Sequence, residues 1–429
     1  MKIKPNPSEG CSVLKRATWP TCWDKPFRAS GGADALALIW QCRERAWQMQ
    51  LAMVQAREQG QFRHGSQLQR RYLMSYSAQL DALSRAYEKK AGPLAKASAE
   101  DRKELVTAAE AISPWHGSSE KTIAYPQQKK GGGYRLVRVH GIIQYALETL
   151  AVAAAKPFAQ ISDNQFITRG GIPKLNDWLR ERLAGTELVI TVDIPRCFDL
   201  MKRSSVADNL HLPRGVVERV LYDPMDRAIL CTKGVGGSDL NDLMSNVQVS
   251  SPRRGIPQGS PLAQLSSEIV IALVLQAVAA VTPNIQVASH GDNLIFLLED
   301  ASSKGAVVHA LTSAVAEHFG QDVSSELTCR IEYARPSTGF RFCRRTYLFK
   351  SGAMRILLPV DWVDDFAFKT ALRIGDAHRS KNDQAFDKIE WSIKGWLRHS
   401  PKSDVVVNMA AELLCDLKVM RKTAMKPAS

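Results

Sequence analysis

The sequence predicts an α+β fold in which many helices surround a few short strands. Two observations carry that expectation. Apolar residues recur at three-and-four spacing over long stretches (35–90, 144–158, 261–281 and 362–420), as helices with one buried face require. Between them lie apolar runs of strand length at 136–139, 187–192, 285–289 and 294–298, bounded by Gly, Asp or Asn. At 429 residues the chain has length for two or three domains. With 45% apolar and 23% charged residues it has the composition of a folded core. No internal repeat is visible.

Taken in order, residues 1 to about 30 mix Pro, Cys and Trp without a period and read as an irregular arm. From Ala35 to Lys90 the spacing of Leu38, Trp40, Trp47, Leu51 and Val54 predicts helix, with Gly60 dividing it in two. A polar stretch from Ala91 to Ser119 holds one more short helix. Lys129-Lys130-Gly131-Gly132-Gly133-Tyr134-Arg135 reads as a basic glycine turn leading into the strand Leu136–Val139. Gln144 to Phe158 is an Ala-rich helix. Glu187 to Val192 is a short buried strand that runs into Asp193.

The turn Gly255-Ile256-Pro257-Gln258-Gly259-Ser260 opens a helix from Pro261 through Val281. Two strands, Ile285–Ser289 and Leu294–Leu298, flank His290-Gly291-Asp292-Asn293, which reads as a tight hairpin turn. Short strands follow Gly339. Helices rich in Lys and Arg then run from about Trp362 to Met420. Trp362, Trp391 and Trp396 are expected in the core of those helices, with Lys388, Lys394 and Arg398 outside.

Lys plus Arg number 57 against 43 Asp plus Glu, a net charge of +14. That excess implies a polyanionic partner, which is nucleic acid before an anionic membrane or a ribosome-like scaffold. The apolar stretch Ile269–Val281, broken by Gln276, is shorter than the roughly 20 residues of a membrane-spanning helix. The N-terminus lacks the apolar segment of a signal peptide. Eight cysteines are scattered without a C-x-x-C pair, which fits reduced thiols and predicts a cytoplasmic location.

Asp193 ends an apolar strand, and Asp292 sits in a turn between two apolar strands. A carboxylate among apolar neighbours is costly unless something pairs with it. Either aspartate alone reads equally as a structural cap. Two on adjacent strands are the donors Mg²⁺ prefers, with the remaining oxygens supplied by substrate phosphates. Two ions ~4 Å apart stabilise both the attacking and the leaving oxygen of a phosphoryl displacement.

Arg254-Gly255-Ile256-Pro257-Gln258-Gly259-Ser260-Pro261-Leu262 resembles motif B of reverse transcriptases, above all the bacterial enzymes of the group II intron type. Val192-Asp193-Ile194-Pro195-Arg196-Cys197-Phe198-Asp199 is similar to their motif A, and the turn at Asp292 falls where motif C belongs. Lys129–Val139, Ile142–Leu150 and Asn164-Gln165-Phe166 resemble the fingers segments. Gly339-Phe340-Arg341-Phe342 stands at the primer grip, and Gln55–Ala78 resembles the N-terminal extension. The likeness runs collinearly from about Gln41 to Lys350.

That resemblance implies a right-hand polymerase. Its parts would be a helical N-terminal extension (1–120), a fingers and palm core (121–350) and a helical thumb (351–429). It implies RNA-directed DNA synthesis by two-metal nucleotidyl transfer. Asp193 and Asp292 would hold Mg²⁺, or Mn²⁺, with the Ile194 carbonyl and Asn293 as further ligands. Lys130 and Arg135 would clamp the incoming triphosphate. Phe198 would lie under the sugar and exclude a 2′-hydroxyl, while Gln258 and Gly259 would line the nascent base pair. His290, Gly339 and Phe340 would belong to the primer side, His290 either contacting the primer end or filling the space of the family's aromatic. Implied partners are an RNA template (a dedicated non-coding RNA in some branches), deoxynucleoside triphosphates and the DNA product. A partner protein or a second copy is also compatible, and no membrane is implied.

The chain departs from the family pattern twice. Asn293 replaces the second aspartate of motif C, leaving a neutral oxygen ligand. In Ser325-Glu326-Leu327-Thr328, Leu327 stands where the family has a lysine that protonates pyrophosphate. A lost general acid costs ~10²–10⁴-fold unless a cation such as Arg330 substitutes. No nuclease-like Cys/His tail or second acidic cluster follows, which resembles the stand-alone, defence-associated or retron-like branches. Two rival readings follow from the departures. One is a weakly active, maturase-like RNA-binding protein; the other is a polymerase working without a nucleic-acid template.

Overall fold

Among the described residues helix dominates and the strands form three small sheets, so the class is α+β as expected. The structure is a computed structural model that describes residues 34–116, 120, 122–128, 134–223, 228–230, 254–256, 258–282, 284–400 and 404–425. The chain divides into two compact units. One comprises Met1–Gln160 and Phe198–Ile269, the other Ile161–Cys197 and Val270–Ser429.

In the first unit, α1 (Ala35–Glu58) begins where the Asp34 carboxylate accepts the Leu36 N–H at 3.0 Å. Its buried stripe is Ile39, Cys42, Ala46, Met49, Met53 and Ala56. Cys42, Ala46 and Ala56 in that stripe are small, and Met49 and Met53 are flexible. Trp40 and Trp47, expected on the buried face, are instead about half exposed. Gly60, at φ +70°, ends this segment as predicted. A second break at Ser75, with extended ψ of 125°, splits the rest into α2 (Phe62–Met74) and α3 (Tyr76–Lys90). No Gly or Pro marks that break in the sequence. A capping box of Ser98 and Asp101 starts α4 (Ala99–Ala111).

Two strands, β1 (Thr122–Gln128) and β2 (Tyr134–Val139), pair antiparallel, and the three-residue β4 (Ala228–Leu230) adds to β1 in parallel. The helix α5 (Ile142–Ala155) follows. The Gln144 N–H in its first turn is accepted by the Glu120 carboxylate at 2.9 Å.

The second unit is built on a four-stranded antiparallel sheet of order β5-β6-β3-β7. Its strands are β3 (Leu188–Asp193), β5 (Gln286–His290), β6 (Asn293–Leu298) and β7 (Glu332–Ala334). Val189, Ile190, Ile295 and Phe296 are fully buried, as near-continuous apolar strands demand. The core continues through Trp178, Leu179, Phe340, Phe342 and Tyr347. A second sheet, β8 (Phe340–Phe342), β9 (Arg345–Lys350) and β10 (Ala353–Leu357), runs as a meander. Three C-terminal helices, Val360–Arg379, Asp383–His399 and Asp404–Ala424, share a core of Phe386, Ile393, Leu413 and Leu417.

Among the described residues one helix, Pro261–Ala279, is long and apolar enough to cross a membrane. The apolar run predicted from Ile269 extends N-terminally because Leu262, Ala263 and Leu265 continue it. A helix apolar all round and mostly buried inside the protein reads as a core helix.

The β8–β9 connection is a two-residue turn in which Cys343 and Arg344 both take positive φ, 49° and 61°. A hairpin of this kind favours Asn-Gly, because L side chains pay for left-handed backbone. Replacing the pair by Asn-Gly should stabilise the protein by roughly 1–2 kcal/mol in denaturant titration. An unchanged or lower midpoint would contradict the turn geometry.

Candidate active site

Asp193 is the last residue of β3 and pairs across the strands with Asn293, the first residue of β6. The preceding hairpin closes on His290 and Asn293, leaving Gly291 and Asp292 as the two central residues. Gly291 adopts φ +68° and Asp292 does not, the pattern of a turn with glycine at its first central position. The hairpin read from the sequence is therefore present. It places the Asp292 carboxyl beside that of Asp193, and the Ile194 N–H donates to the Asp292 carbonyl at 3.3 Å.

Burial raises the Asp292 carboxyl above its ordinary range, and the charge of Asp193 raises it further. Two groups oppose this crowding of negative charge. The Asn293 amide donates to Asp292 Oδ1 at 3.0 Å. The Arg330 guanidinium lies 3.2 Å from Asp193 Oδ2. The Asp193 N–H is accepted by the Cys329 carbonyl at 3.1 Å, which ties the turn carrying Arg330 to the end of β3. Arg330 itself holds a left-handed φ of 46°. The family resemblance implies a ligand role for Asn293; its amide nitrogen is occupied with Asp292, leaving its oxygen for that role.

The other expected residues divide as follows. His290 is half-buried, and burial, with the charge of Arg345, pulls its imidazole below the ordinary value. Ile194 has a fully buried side chain, so only its peptide groups are offered for binding. Gly339, at φ +88°, has the Tyr347 carbonyl so close that a Cβ would lie 3.3 Å from it. Phe340 was expected against nucleic acid. Its side chain is buried and stacked on Tyr347 at 5.3 Å, so it serves as core. The Leu327 side chain is 88% exposed, and its carbonyl accepts the Arg330 N–H at 3.2 Å.

Phe198, Gln258 and Gly259 belong to the first unit. There the Phe198 carbonyl accepts the Ile256 N–H at 2.7 Å, and the Gln258 carbonyl accepts the Arg138 N–H at 3.0 Å. Gly259 has φ +98°, and a Cβ on it would lie 3.0 Å from the Arg138 carbonyl, so both conformation and space demand glycine. Arg135 pairs with Gln127 in the β1–β2 ladder. Lys130 and the side chain of Arg135 lie outside the described residues.

Sequence reasoning missed the surroundings of the aspartates contributed by the β8–β9 turn. Burial pushes the Cys343 thiol up to about 12, with the charges of Asp292 and Asp193 adding to the rise. Trp391, expected in the core, is 79% exposed, three residues from both Lys388 and Lys394; Trp362 and Trp396 do pack together with Phe366. Helical spacing alone could not distinguish the three indoles.

Among the described residues no group of three or more His, Cys, Asp or Glu side chains gathers to hold a metal. The donor set at Asp193 and Asp292 is two carboxylates with an amide oxygen and peptide oxygens nearby. It fits a hard cation that completes its shell with phosphate and solvent oxygens, as Mg²⁺ does. Comparison with protein-family models gives no match, and comparison with curated protein sequences gives no significant match.

The crowding of charge has opposite consequences for two substitutions. Asp292→Asn removes a carboxylate whose pKa is raised, a group that contributes stability below its ordinary 3.8 and loses it as pH rises. In chelator, Asp292→Asn should melt higher than wild type at neutral pH, the gain vanishing near pH 4. Asn293→Asp should melt lower, because it trades a hydrogen-bond donor for a third negative charge. Thermal scans across pH that show both variants moving the same way would contradict this electrostatic account.

Proposed function

We propose that the protein is an RNA-directed DNA polymerase, a reverse transcriptase of the right-hand type, using Asp193 and Asp292 for metal-assisted nucleotidyl transfer. The observation that carries this reading is the register of β3 against β6, which sets Asp193 opposite Asn293 and so beside Asp292. Further support comes from the antiparallel order β5-β6-β3-β7, which suits a palm sheet, and from the collinear order of the motif-like segments. The net charge of +14 and the exposed Trp391 beside Lys388 and Lys394 suit a partner with phosphates and stackable bases.

Under this reading Mg²⁺, when bound, neutralises the triphosphate and lowers the pKa of the attacking hydroxyl. Asp193 and Asp292 hold it by their carboxylates, and Asn293 orients Asp292 through its amide. Phe198 meets the sugar of the incoming nucleotide. A second reading, a weakly active RNA-binding relative, is favoured by the exposed Leu327, which supplies no proton to a leaving group.

Primer extension on an RNA template with labelled deoxynucleotides tests the assignment. Asp193→Asn and Asp292→Asn should each lower incorporation by about a thousandfold or more, with RNA binding retained. Full activity in both variants would overturn it. Phe198→Ala should admit ribonucleotides by removing the ring at the 2′-position. An unchanged deoxy-to-ribo ratio would make Phe198 an ordinary packing residue.

A further inference from the structure

The turn that carries Arg330 is braced on both sides. The hydroxyls of Ser325 and Thr328 pair at 2.7 Å, and the Thr328 N–H donates to the Ser325 hydroxyl at 3.1 Å. The Cys329 N–H returns to the Ser325 carbonyl at 2.9 Å, and the Ile331 N–H to the Glu326 carbonyl at 3.0 Å. The Cys329 carbonyl in turn accepts the Asp193 N–H. Arg330 sits at φ 46°, where glycine or asparagine is at ease and arginine is strained. The backbone therefore gives no reason for an arginine here, and the side chain supplies one. Its guanidinium is 69% exposed and lies 3.2 Å from Asp193 Oδ2. Glu326, the carboxylate of the same turn, is engaged by the Tyr333 hydroxyl, and Lys304 stands 3.6 Å over the Tyr333 ring. The Arg330 charge is thus directed at Asp193.

We propose that Arg330 is an exchangeable counter-charge for the paired carboxylates. It pairs with Asp193 until a divalent cation takes that carboxylate, and then binds phosphate oxygens of the nucleotide held with the cation. The first half rests on the metal site alone, and the second rests on the polymerase reading.

An exposed ion pair of this kind is weak and reverses easily. A divalent cation carries twice the charge of a guanidinium. It sits ~2.1 Å from its oxygen ligands, closer than the 3.2 Å of the ion pair, and Asp292 adds a second carboxylate to hold it. Ligand bonds of that length place any phosphate oxygen on the cation within ~4 Å of the carboxylate it shares. The displaced guanidinium, tethered by the braced turn, therefore meets phosphate without leaving its place in the fold. Its planar donors suit phosphate oxygens two at a time. Arginine stays protonated in proteins. Arg330 thus supplies charge and hydrogen bonds, and cannot give the proton that a lysine at position 327 would give.

Manganese binding to the full chain, followed by electron paramagnetic resonance at low ionic strength without nucleotide, reads the first half. Arg330→Gln should bind manganese about threefold more tightly than wild type, because a competing charge is gone. Arg330→Asn, which suits the left-handed backbone, should do the same, separating charge from strain. Arg330→Lys keeps the charge and should match wild type. Calorimetric titration of deoxythymidine triphosphate into manganese-saturated protein reads the second half. There Arg330→Gln and Arg330→Asn should bind about tenfold more weakly than wild type.

Opposite signs in the two titrations mark the exchange; a side chain that only braced the turn would weaken both. If wild type binds manganese and Arg330→Gln binds it no more tightly, the exchange is overturned and the metal site stands. An Arg330→Lys variant as tight as Arg330→Gln would also overturn it, because charge would not be the cause. Tighter manganese with unchanged triphosphate affinity would overturn the phosphate role. Manganese binding by neither wild type nor Arg330→Gln would overturn the metal site and this proposal together.

Discussion

Two carboxylates forced together at the ends of the two central strands of a mostly buried sheet are the constraint on which this structure turns. The register between β3 and β6 leaves Asp193 and Asp292 no freedom to separate, because slipping by one residue would turn Val189, Phe296 and their neighbours out of the core. The sheet therefore supports a charge repulsion that its own packing must offset. Asn293 and Arg330 soften the repulsion without removing it. The Arg330 pair is largely solvent-exposed and contributes little to stability. Under the proposed reading, a divalent cation would relieve that repulsion.

The string Arg254–Leu262 is explained by comparable constraints. Its first half is tied to the segment after Asp193: Gly255 N–H donates to the Met201 carbonyl at 2.8 Å, and Arg203 Nε donates to the Gly255 carbonyl at 3.1 Å. Ile256 is fully buried. Its second half is tied to β2 and α5 through Gln258, Gly259 and Ser260. Gly255 and Gly259 both take positive φ, Ser260 caps the helix that follows, and Pro261 suits its first turn. Among the described residues of that run, Gly255, Gly259, Ser260 and Pro261 each answer a local demand of the backbone.

Local features were legible in the sequence and non-local ones were not. The hairpin at Asp292 could be read because glycine and aspartate interrupt two apolar runs, and the end of α1 because Gly60 interrupts a helical one. The break at Ser75 carries no such residue. β1 and the three-residue β4 are too short, or too polar, to announce themselves by period. Exposure of Trp40 and Trp391 depends on which neighbours cover each helix face, and periodicity gives no information on that. Glu148 and Ser260 meet across 112 residues of chain, and Asp193 meets Arg330 across 137. Only the fold brings such pairs together.

The central claim is that Asp193 and Asp292 jointly bind a divalent cation that neither holds alone. Manganese binding followed by electron paramagnetic resonance, in the presence of a deoxynucleoside triphosphate, tests it most directly and needs no catalysis. Wild-type protein should immobilise manganese together with nucleotide, and Asp193→Asn and Asp292→Asn should each lose that signal while remaining folded. Undiminished manganese binding in both variants would mean that the paired carboxylates are a feature of the sheet and hold no metal.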